Sequence, residues 1–247
     1  MRFKTIIKLF EDGNVCVTGL RGRGKDMLMA NVAVRRKLPY VCNCDYGGER
    51  YVLDLDALAC GKNTYRDFLS GNLKYYQFPY PDGTDVYITD CGVYFPSQYC
   101  NELNKQYPYM ATFPALSRQV GLSNQHINCQ NINRIWLQLR EQSDQFILCR
   151  RCWVIFGLVV QLVRIYDQYE SCAHKVRPFP VRVPLFATAS TRYSVKLQRA
   201  TYEANHGMIK DGILIYRNKS NYDTRIFKRM LENGRKEGEC LEKTKVA

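Results

Sequence analysis

The 247-residue chain carries 36 Lys and Arg against 23 Asp and Glu, which gives a formal net charge of +13. A hydrophobic fraction of 46% excludes wholesale disorder, and the length suits one large α/β domain with or without a small appendage. The excess of cations favours an acidic partner, either nucleic acid or an anionic membrane surface, without choosing between them. The alternative is a basic protein whose charge serves only its solubility.

The first residues contain no secretory h-region of the usual length. The 11 cysteines are therefore expected to be mostly buried thiols in a reducing compartment. The longest apolar run, residues 153–163, is interrupted by Gln161 and is shorter than the roughly 20 residues that a membrane-spanning helix needs. We expect no intrinsic transmembrane helix, and a protein that is cytoplasmic or peripheral at the inner face of a bacterial membrane.

The first elements in chain order have the pattern of a βαβ unit. Residues 15–18 predict a short buried strand, 19–24 a glycine-rich turn, 26–37 a helix and 40–44 the next strand. Asp at the start of this helix and Arg and Lys at its end suit the helix dipole. Strand, loop, helix and strand in this order predict a parallel sheet.

The rest of the chain continues the alternation and then changes. Further strands are predicted at 85–89, 125–130 and 146–150, and helices at 97–107 and 133–142. Strands or extended segments follow at 153–166 and 176–186, then a helix at 195–206. The fold class expected is α/β with a mainly parallel central sheet flanked by helices. Its parts are a first domain at 1–151, a strand-rich extension of the same domain at 152–227 and a charged tail at 228–247.

A phosphate-binding loop is the clearest motif. Eight residues match G-x-x-x-x-G-K with an extra acidic position: Gly19, Leu20, Arg21, Gly22, Arg23, Gly24, Lys25 and Asp26. Glycines let backbone N–H groups turn inward around an anion, and Lys25 reaches the β- and γ-phosphates of a nucleotide. The following helix points its positive end at the same phosphates. A chance glycine-rich turn is the alternative, but the strand before the loop and the helix after it favour the phosphate loop.

Asp90 follows the predicted strand at 85–89. A carboxylate at the end of a buried parallel strand is where a P-loop ATPase places its Mg²⁺ partner and its water-activating group. The alternative is an ordinary solvated aspartate at a strand end.

Four blocks of sequence resemble the zonula occludens toxin (Zot) and filamentous-phage assembly family. They are VCVTGLRGRGKDMLM, YVCNCDY, YITDCGVYFPS and the stretch from LSRQVGL to FILCRR, and they cover roughly residues 13–151 in the family's order. The resemblance implies a P-loop NTPase that uses ATP and Mg²⁺. It also implies a homo-oligomer that drives virion assembly, export or DNA translocation.

The sequence departs from the family's pattern at two positions. Asp26 stands where the family has the Thr of its phosphate loop, and Thr89 stands where it has an Asp, with Asp90 at the position of its Glu. We interpret the two changes as compensating, so that Asp26 and Thr89 ligate Mg²⁺ and Asp90 acts as the base or positions the water. The alternative is that hydrolysis is weakened or lost and only nucleotide binding survives.

Three more residues are candidates by the same resemblance. Gln130 follows a predicted buried strand, as a sensor of γ-phosphate or water would, although it is also an ordinary strand-end amide. Arg118 and Arg140 match arginines of the family's blocks and would stabilise phosphoryl charge in cis or from a neighbouring subunit. Surface ion pairing is the alternative for both arginines.

Single-stranded DNA is one expected partner, and phage coat or membrane partner proteins are others. Aromatic residues at 75–80 would stack on bases, and cations after residue 149 would neutralise phosphates. These cations are Arg150, Arg151, Arg164, Lys175, Arg177 and Arg182. Two further functions stay open: a cytoplasmic DNA-packaging or conjugation-type ATPase, and a nucleotide-gated interaction module with little hydrolysis.

Overall fold

The computed structural model describes residues 1–54, 70, 80–106, 121–180, 188–220 and 222. Within these ranges the strands form one sheet in the order β3-β2-β4-β5-β1-β6-β7-β8. The strands are β1 (Val15–Thr18), β2 (Tyr40–Cys42), β3 (Arg50–Val52), β4 (Thr84–Ile88), β5 (Leu122–Cys129), β6 (Gln145–Ile155), β7 (Leu158–Tyr166) and β8 (Ile209–Arg217).

Helices connect and flank these strands. They are α1 (Phe3–Asp12), α2 (Lys25–Arg36), α3 (Cys91–Tyr94), α4 (Cys100–Gln106), α5 (Leu137–Glu141), α6 (Tyr169–Ala173) and α7 (Ala189–His206). Two short 3₁₀ turns lie at Ser97–Tyr99 and Ile132–Arg134. None of the helices in the described ranges combines the length and the hydropathy needed to cross a bilayer.

The six strands from β3 to β6 are parallel, and β1 lies between β5 and β6. Every residue of β1, β2 and β4 is buried, as in parallel sheets that are covered on both faces. The predicted α/β fold class with a mainly parallel sheet is therefore confirmed. The carboxyl ends of these strands meet at one edge of the sheet, where ligands bind in open α/β folds.

Two apolar cores lie on opposite faces of the sheet. Val15 and Val17 of β1 belong to one core and Cys16 to the other, because successive side chains of a strand alternate between faces. The first core contains α2 and also α1, whose Ile6 and Phe10 are fully buried. No helix was predicted before residue 15, so α1 is an addition to the expected order of elements.

The sheet continues beyond its parallel part in an antiparallel hairpin. β6 runs on to Ile155, turns through Phe156 and Gly157, and returns as β7, which pairs in turn with β8. Both turn residues have positive φ, 48° and 76°, as in the two-residue turns whose twist matches a hairpin. The strand predicted at 153–166 is thus the end of β6 and β7, and the division expected at residue 151 falls inside β6.

The last described helix is longer than predicted. α7 begins at Ala189 rather than near residue 195, and the Thr188 side chain caps it by accepting a hydrogen bond from the backbone N–H of Thr191. The charged tail predicted at 228–247 lies outside the described residues. The same is true of residues 181–186, the second half of the extended segment predicted at 176–186.

Candidate nucleotide-binding site

The loop at 19–24 joins the central strand β1 to α2. Gly19, Gly22 and Gly24 have positive φ of 146°, 75° and 78°, a backbone region that glycine enters without steric cost. The backbone N–H of Leu28 donates to the Gly24 carbonyl at 2.9 Å, which closes the first turn of α2. The first N–H groups of this helix have no intrahelical partner and are free to bind an anion.

Close packing against the antiparallel strands requires two of these glycines. A Cβ atom at Gly19 would collide with the Cys149 carbonyl oxygen, and one at Gly24 would lie 2.6 Å from the Cys152 sulfur. Both partners belong to β6. A side chain at either position would push the loop away from the sheet.

Gln161 of β7 fixes the orientation of the loop. Its amide Nε2 donates to the carbonyls of Arg23 and Gly24 at 3.0 and 3.1 Å, and its Oε1 accepts from the Tyr216 hydroxyl at 3.0 Å. Gln161 is fully buried. Because these two carbonyls are held toward Gln161, the neighbouring peptide N–H groups are left to face a ligand. The amide inside an otherwise apolar run was the sequence signal for this residue.

Lys25 lies at the start of α2 with only 4% of its surface exposed. Its ammonium group makes no hydrogen bond or ion pair with any described residue. Its charge acts on Asp90 through space, and an anion bound at the loop would give the ammonium a direct partner. The position matches the role expected for Lys25 in a phosphate loop.

Asn128 connects the two aspartates of the site. Its Nδ2 donates to Asp26 Oδ1 at 2.7 Å, and its Oδ1 accepts from the Asp90 backbone N–H at 2.8 Å. Asn128 is fully buried near the end of β5. It therefore ties the first turn of α2 to the residue that follows β4. Gln130, predicted from the sequence as a sensor, follows this strand. Asn128 was not predicted, although an Asn in a buried strand beside the expected site was the available signal.

Asp90 is strained and electrostatically perturbed. Its φ of 47° lies in the left-handed region, which costs a non-glycine residue on the order of 1–3 kcal/mol. Burial raises the pKa of Asp90, the negative charge of Asp26 raises it further, and Lys25 opposes both effects. A carboxylate with a raised pKa is a better proton acceptor than an ordinary aspartate.

Thr89 lies beside these aspartates with its hydroxyl already engaged. The hydroxyl donates to Asn43 Oδ1 at 2.9 Å and lies 3.1 Å from the Cys44 sulfur. Asn43 Nδ2 in turn donates to the Thr89 carbonyl at 3.1 Å. Burial raises the pKa of Cys44, and the charges of Asp26 and Asp90 contribute to the shift. The side chains of these residues are therefore grouped at the carboxyl edge of β2 and β4.

Tyr222 approaches the same group from the far end of the chain. Burial raises its pKa, and the negative charge of Asp26 adds to the shift. Its ring packs edge-on against Tyr46 with centroids 5.9 Å apart. The segment before it is held by Asn31 of α2, whose Oδ1 accepts from the Lys219 N–H at 2.9 Å. No local sequence pattern pointed to Tyr222.

A cavity of about 600 Å³ adjoins the first residues of the loop, and Gln130 lines it together with Gly19 and Leu20. The other walls carry five cations and no carboxylate: Arg23, Arg150, Arg164, Lys175 and Arg177. The Arg164 guanidinium donates two hydrogen bonds to the Asp211 carboxylate, from Nε to Oδ1 and from Nη2 to Oδ2, the second at 2.8 Å. The structure thus brings the predicted sensor residue and four of the six cations predicted for a DNA path to one cavity.

The remaining predicted residues lie elsewhere. The Arg140 guanidinium lies 4.2 Å from the centre of the Tyr169 ring, and Arg140 is not among the residues that line the cavity. Arg118, Arg182 and the aromatics at 75–79 fall outside the described residues. Arg151 is on β6, with its side chain exposed. In the described part of the chain, no three His, Cys, Asp or Glu side chains are grouped to hold a metal ion.

The loop joins the central strand of a parallel sheet to a helix, with glycines at positive φ and a buried lysine at its end. The chain has the fold of a P-loop NTPase. No protein-family model and no curated protein matches it.

Solved P-loop ATPases are similar to this chain at low identity. The N-terminal domain of zonular occludens toxin from Neisseria meningitidis is 14% identical, with a TM-score of 0.43, over 66% of this chain and 90% of that one. The genome packaging NTPase B204 of Sulfolobus turreted icosahedral virus 2, in complex with ATP-gammaS, is 15% identical, with a TM-score of 0.37, over 84% and 93%. EssC (ATPases 2 and 3) from Geobacillus thermodenitrificans is 12% identical, with a TM-score of 0.40, over 79% and 44%.

One of these solved structures, the zonular occludens toxin domain, carries the name of the family that the sequence motifs resemble. At such identities and scores the likeness concerns the fold and says nothing of chemistry. Conclusions about chemistry rest on the contacts of the phosphate loop and of the residues around it.

Proposed function

We propose that this protein binds ATP with Mg²⁺ at residues 19–26 and hydrolyses it to drive virion assembly, export or DNA translocation. The observation that carries the proposal is Lys25, which is 4% exposed and whose ammonium forms no hydrogen bond or ion pair with a described residue. In this proposal the β- and γ-phosphates supply the partner, and the N–H groups at the start of α2 bind the other phosphate oxygens.

Oxygen ligands that suit Mg²⁺ are grouped beside this loop. Asp26 presents a carboxylate that Asn128 orients, and the Thr89 oxygen keeps lone pairs after donating its proton to Asn43. Carboxylate and hydroxyl oxygens are ligands that Mg²⁺ accepts. We assign Asp26 and Thr89 to the metal. When bound, the cation would neutralise charge on the β- and γ-phosphate oxygens.

Asp90 is the proposed base. Its raised pKa suits a group that takes a proton from water, and Asn128 fixes the backbone at this position. Gln130, which lines the cavity beside Gly19 and Leu20, would orient the attacking water. Arg118 and Arg140 are proposed to act on the phosphoryl charge from a neighbouring subunit of a homo-oligomer.

The polymer moved is proposed to be single-stranded DNA. Four cations from β6, β7 and the segment after α6 line the cavity next to Gln130. A phosphate backbone bound there would lie next to the group proposed to sense the γ-phosphate. The resemblance to phage assembly proteins supports the same substrate, with coat or membrane proteins as further partners. A cytoplasmic packaging or conjugation-type ATPase would use the same contacts.

A nucleotide-binding module with little hydrolysis is the second candidate. Two observations favour it: the Thr89 hydroxyl is engaged by Asn43, and the Tyr222 hydroxyl interacts with Asp26. Both contacts would have to adjust before these oxygens ligate a metal.

Steady-state ATP hydrolysis with Mg²⁺, with and without single-stranded DNA, separates these functions. We expect hydrolysis by the wild type that DNA stimulates, loss of it in Lys25→Ala, and unchanged hydrolysis in Lys196→Ala, which removes an exposed lysine of α7. Asp90→Asn should bind ATP while kcat falls about 10²- to 10⁴-fold. Binding without turnover in the wild type would establish the module instead, and no ATP binding would reject both functions.

A further inference from the structure

The outer part of the β6–β7–β8 sheet has one apolar face that no described element covers. In the register of these strands, Trp153 pairs with Val160 and then with Ile215, and Ile155 pairs with Leu158. Cross-strand partners project from the same face. This surface, here called the hairpin face, is formed by Trp153, Ile155, Leu158, Val160, Leu162, Ile213 and Ile215.

The hairpin face is open to solvent. Trp153, Ile155 and Ile215 are 43%, 53% and 61% exposed, and Phe156 at the turn is fully exposed. Monomeric soluble proteins rarely expose contiguous apolar patches, and such patches commonly mark an interaction site. The surface therefore has the character of a docking site rather than of ordinary surface.

The opposite face of the same strands is packed against the rest of the molecule except at Val154 near the turn, which is 55% exposed. Gln161 and Leu214 are fully buried there and Tyr216 nearly so, and Gln161 is bonded to the phosphate loop. Because alternate residues are fixed in this way, the hairpin cannot rotate to bury its apolar face.

Arginines border the hairpin face, whereas the carboxylate of Asp211, two residues before Ile213 on the same face, is paired with Arg164 and Arg150. Arg151 pairs with Leu162 on the same face, and Arg217 pairs with Leu158 near the turn. Arg150 and Lys219 flank these positions, and residues 150–163 and 212–220 contain no Asp or Glu. The ligand of this surface must therefore offer both an apolar phase and negative charge.

We propose that the hairpin face docks on an anionic lipid bilayer, with the turn at Phe156 and Gly157 inserted at the interface. Arginines at the border would lie at the level of the lipid phosphates, where each basic residue adds attraction. Aromatic and aliphatic side chains beside cations are the composition of interfacial anchors.

Two other candidate ligands complement only one of the two features of the hairpin face, its apolar side chains or its cations. Nucleic acid offers phosphates but no apolar partner for the Ile, Val and Leu side chains. A second copy docked through the same face offers apolar surface, but it would bring its own Arg151 and Arg217 to a border that already carries these cations. Of these three, the anionic bilayer surface complements both the apolar side chains and the cations.

Co-sedimentation with phosphatidylglycerol and phosphatidylcholine vesicles tests the proposal with the full chain. We expect at least tenfold stronger partitioning to phosphatidylglycerol, weakened by salt. Trp153→Ser with Phe156→Ser should lower partitioning at least tenfold. The matched control is Tyr193→Ser with Leu197→Ser, which removes two exposed apolar side chains of α7.

A second pair of variants tests the charges alone. Arg151→Gln with Arg217→Gln should lower partitioning to phosphatidylglycerol about tenfold or more and leave the weak binding to phosphatidylcholine unchanged. Lys105→Gln with Lys196→Gln makes the same charge change at exposed positions of α4 and α7 and should leave both unchanged.

Tryptophan fluorescence of the wild type measures insertion of the hairpin into the bilayer directly. The chain has two tryptophans, and Trp136 is buried while Trp153 is half exposed. Brominated phosphatidylglycerol should therefore quench Trp153, and Trp153→Phe should bind vesicles without this quenching.

Three results would overturn the proposal. The first is equal partitioning to the two lipids, or none. The second is wild-type partitioning by the hairpin variants. The third is a dimer in sedimentation velocity, or binding to an oligonucleotide, that the hairpin variants abolish, because the occupant would then be a second copy or a nucleic acid. ATP binding measured on the same samples separates failure of docking from failure of the proposed ATPase.

Discussion

At the scale of single residues, Asn128 is the contact on which the acidic site depends. It donates to Asp26 and accepts from the backbone of Asp90, so one amide sets the position of the proposed metal ligand and of the proposed base. Asn128→Leu keeps a similar volume but leaves both partners unsatisfied. We expect kcat to fall tenfold or more while ATP affinity changes little, because Lys25 and the loop are untouched.

Steady-state kinetics and ATP titration check this expectation for Asn128. Asn205→Leu, at an exposed position of α7, is the matched control. Equal losses of kcat and ATP affinity in Asn128→Leu would indicate a collapsed loop rather than misplaced aspartates.

His126 makes a residue-scale prediction about pH. Its ring lies between Phe10 and Tyr87, with centroids 4.5 and 4.9 Å away, and burial together with Arg36 lowers its pKa well below the usual value. Below pH 6.5 the unfolded chain binds a proton that the folded chain excludes, so the folded state loses stability as pH falls.

The loss from His126 is expected to reach about 1.4 kcal/mol per pH unit below pH 6.5, and His126→Phe should remove it. Urea unfolding of both proteins at pH 7.5, 6.5 and 5.5 measures the difference. Burial raises the pKa of Asp85 to about 6, but this contribution is common to both proteins and cancels. If the free energy of unfolding changes with pH to the same extent in the wild type and in His126→Phe, the assignment of a neutral buried His126 is contradicted.

At the scale of elements, β7 supports the phosphate loop through Gln161. Its two hydrogen bonds to loop carbonyls contribute on the order of 0.5–1.5 kcal/mol each. Gln161→Leu should therefore weaken ATP binding about tenfold or more while the hairpin stays folded. Fluorescence titration with an ATP analogue measures the change, and Gln198→Leu on the exposed side of α7 is the control. Unchanged affinity would mean that the loop holds its shape without the antiparallel strands.

Elements defined by local patterns were predicted well, and elements defined by distant contacts were not. The unit β1–loop–α2–β2 has glycines, a lysine and apolar periodicity within 28 residues. By contrast, the helix predicted at 133–142 is a 3₁₀ turn followed by the shorter α5. The backbone of Trp136 instead donates to the Phe95 carbonyl at 2.9 Å, a contact between residues far apart in sequence.

In the candidate site, too, residues that belong to a local motif were predicted and residues that come from distant segments were not. The loop residues could be named from the sequence because one contiguous motif carries them. Asn128, Gln161 and Tyr222 come from three separate segments and meet the loop only in the folded chain. The turn at Phe156 and Gly157 was not predicted from the sequence, because Phe rarely adopts a positive φ.

At the scale of the whole molecule, cations lie at two separate surfaces, the cavity beside the phosphate loop and the border of the hairpin face. Lys175 and Arg177 line the cavity near Gln130, while Arg151 and Arg217 border the hairpin face. Exchanging Lys175 and Arg177 for Gln should weaken binding to single-stranded DNA and reduce the slope of log K against log salt by about 1.4, at about 0.7 per phosphate contact.

Fluorescence anisotropy with a labelled oligonucleotide at several salt concentrations measures this slope. Lys105→Gln with Lys196→Gln is again the control for net charge. An unchanged slope in the cavity variant would place the DNA elsewhere on the molecule.

Equilibrium ATP binding to the wild type and to Lys25→Met tests the central claim most directly. The methionine keeps most of the buried side-chain volume and removes only the charge. If the loop at 19–26 holds a triphosphate, Lys25→Met will bind ATP at least tenfold more weakly with little change in thermal stability. Equal affinity of the two proteins for ATP would contradict the account.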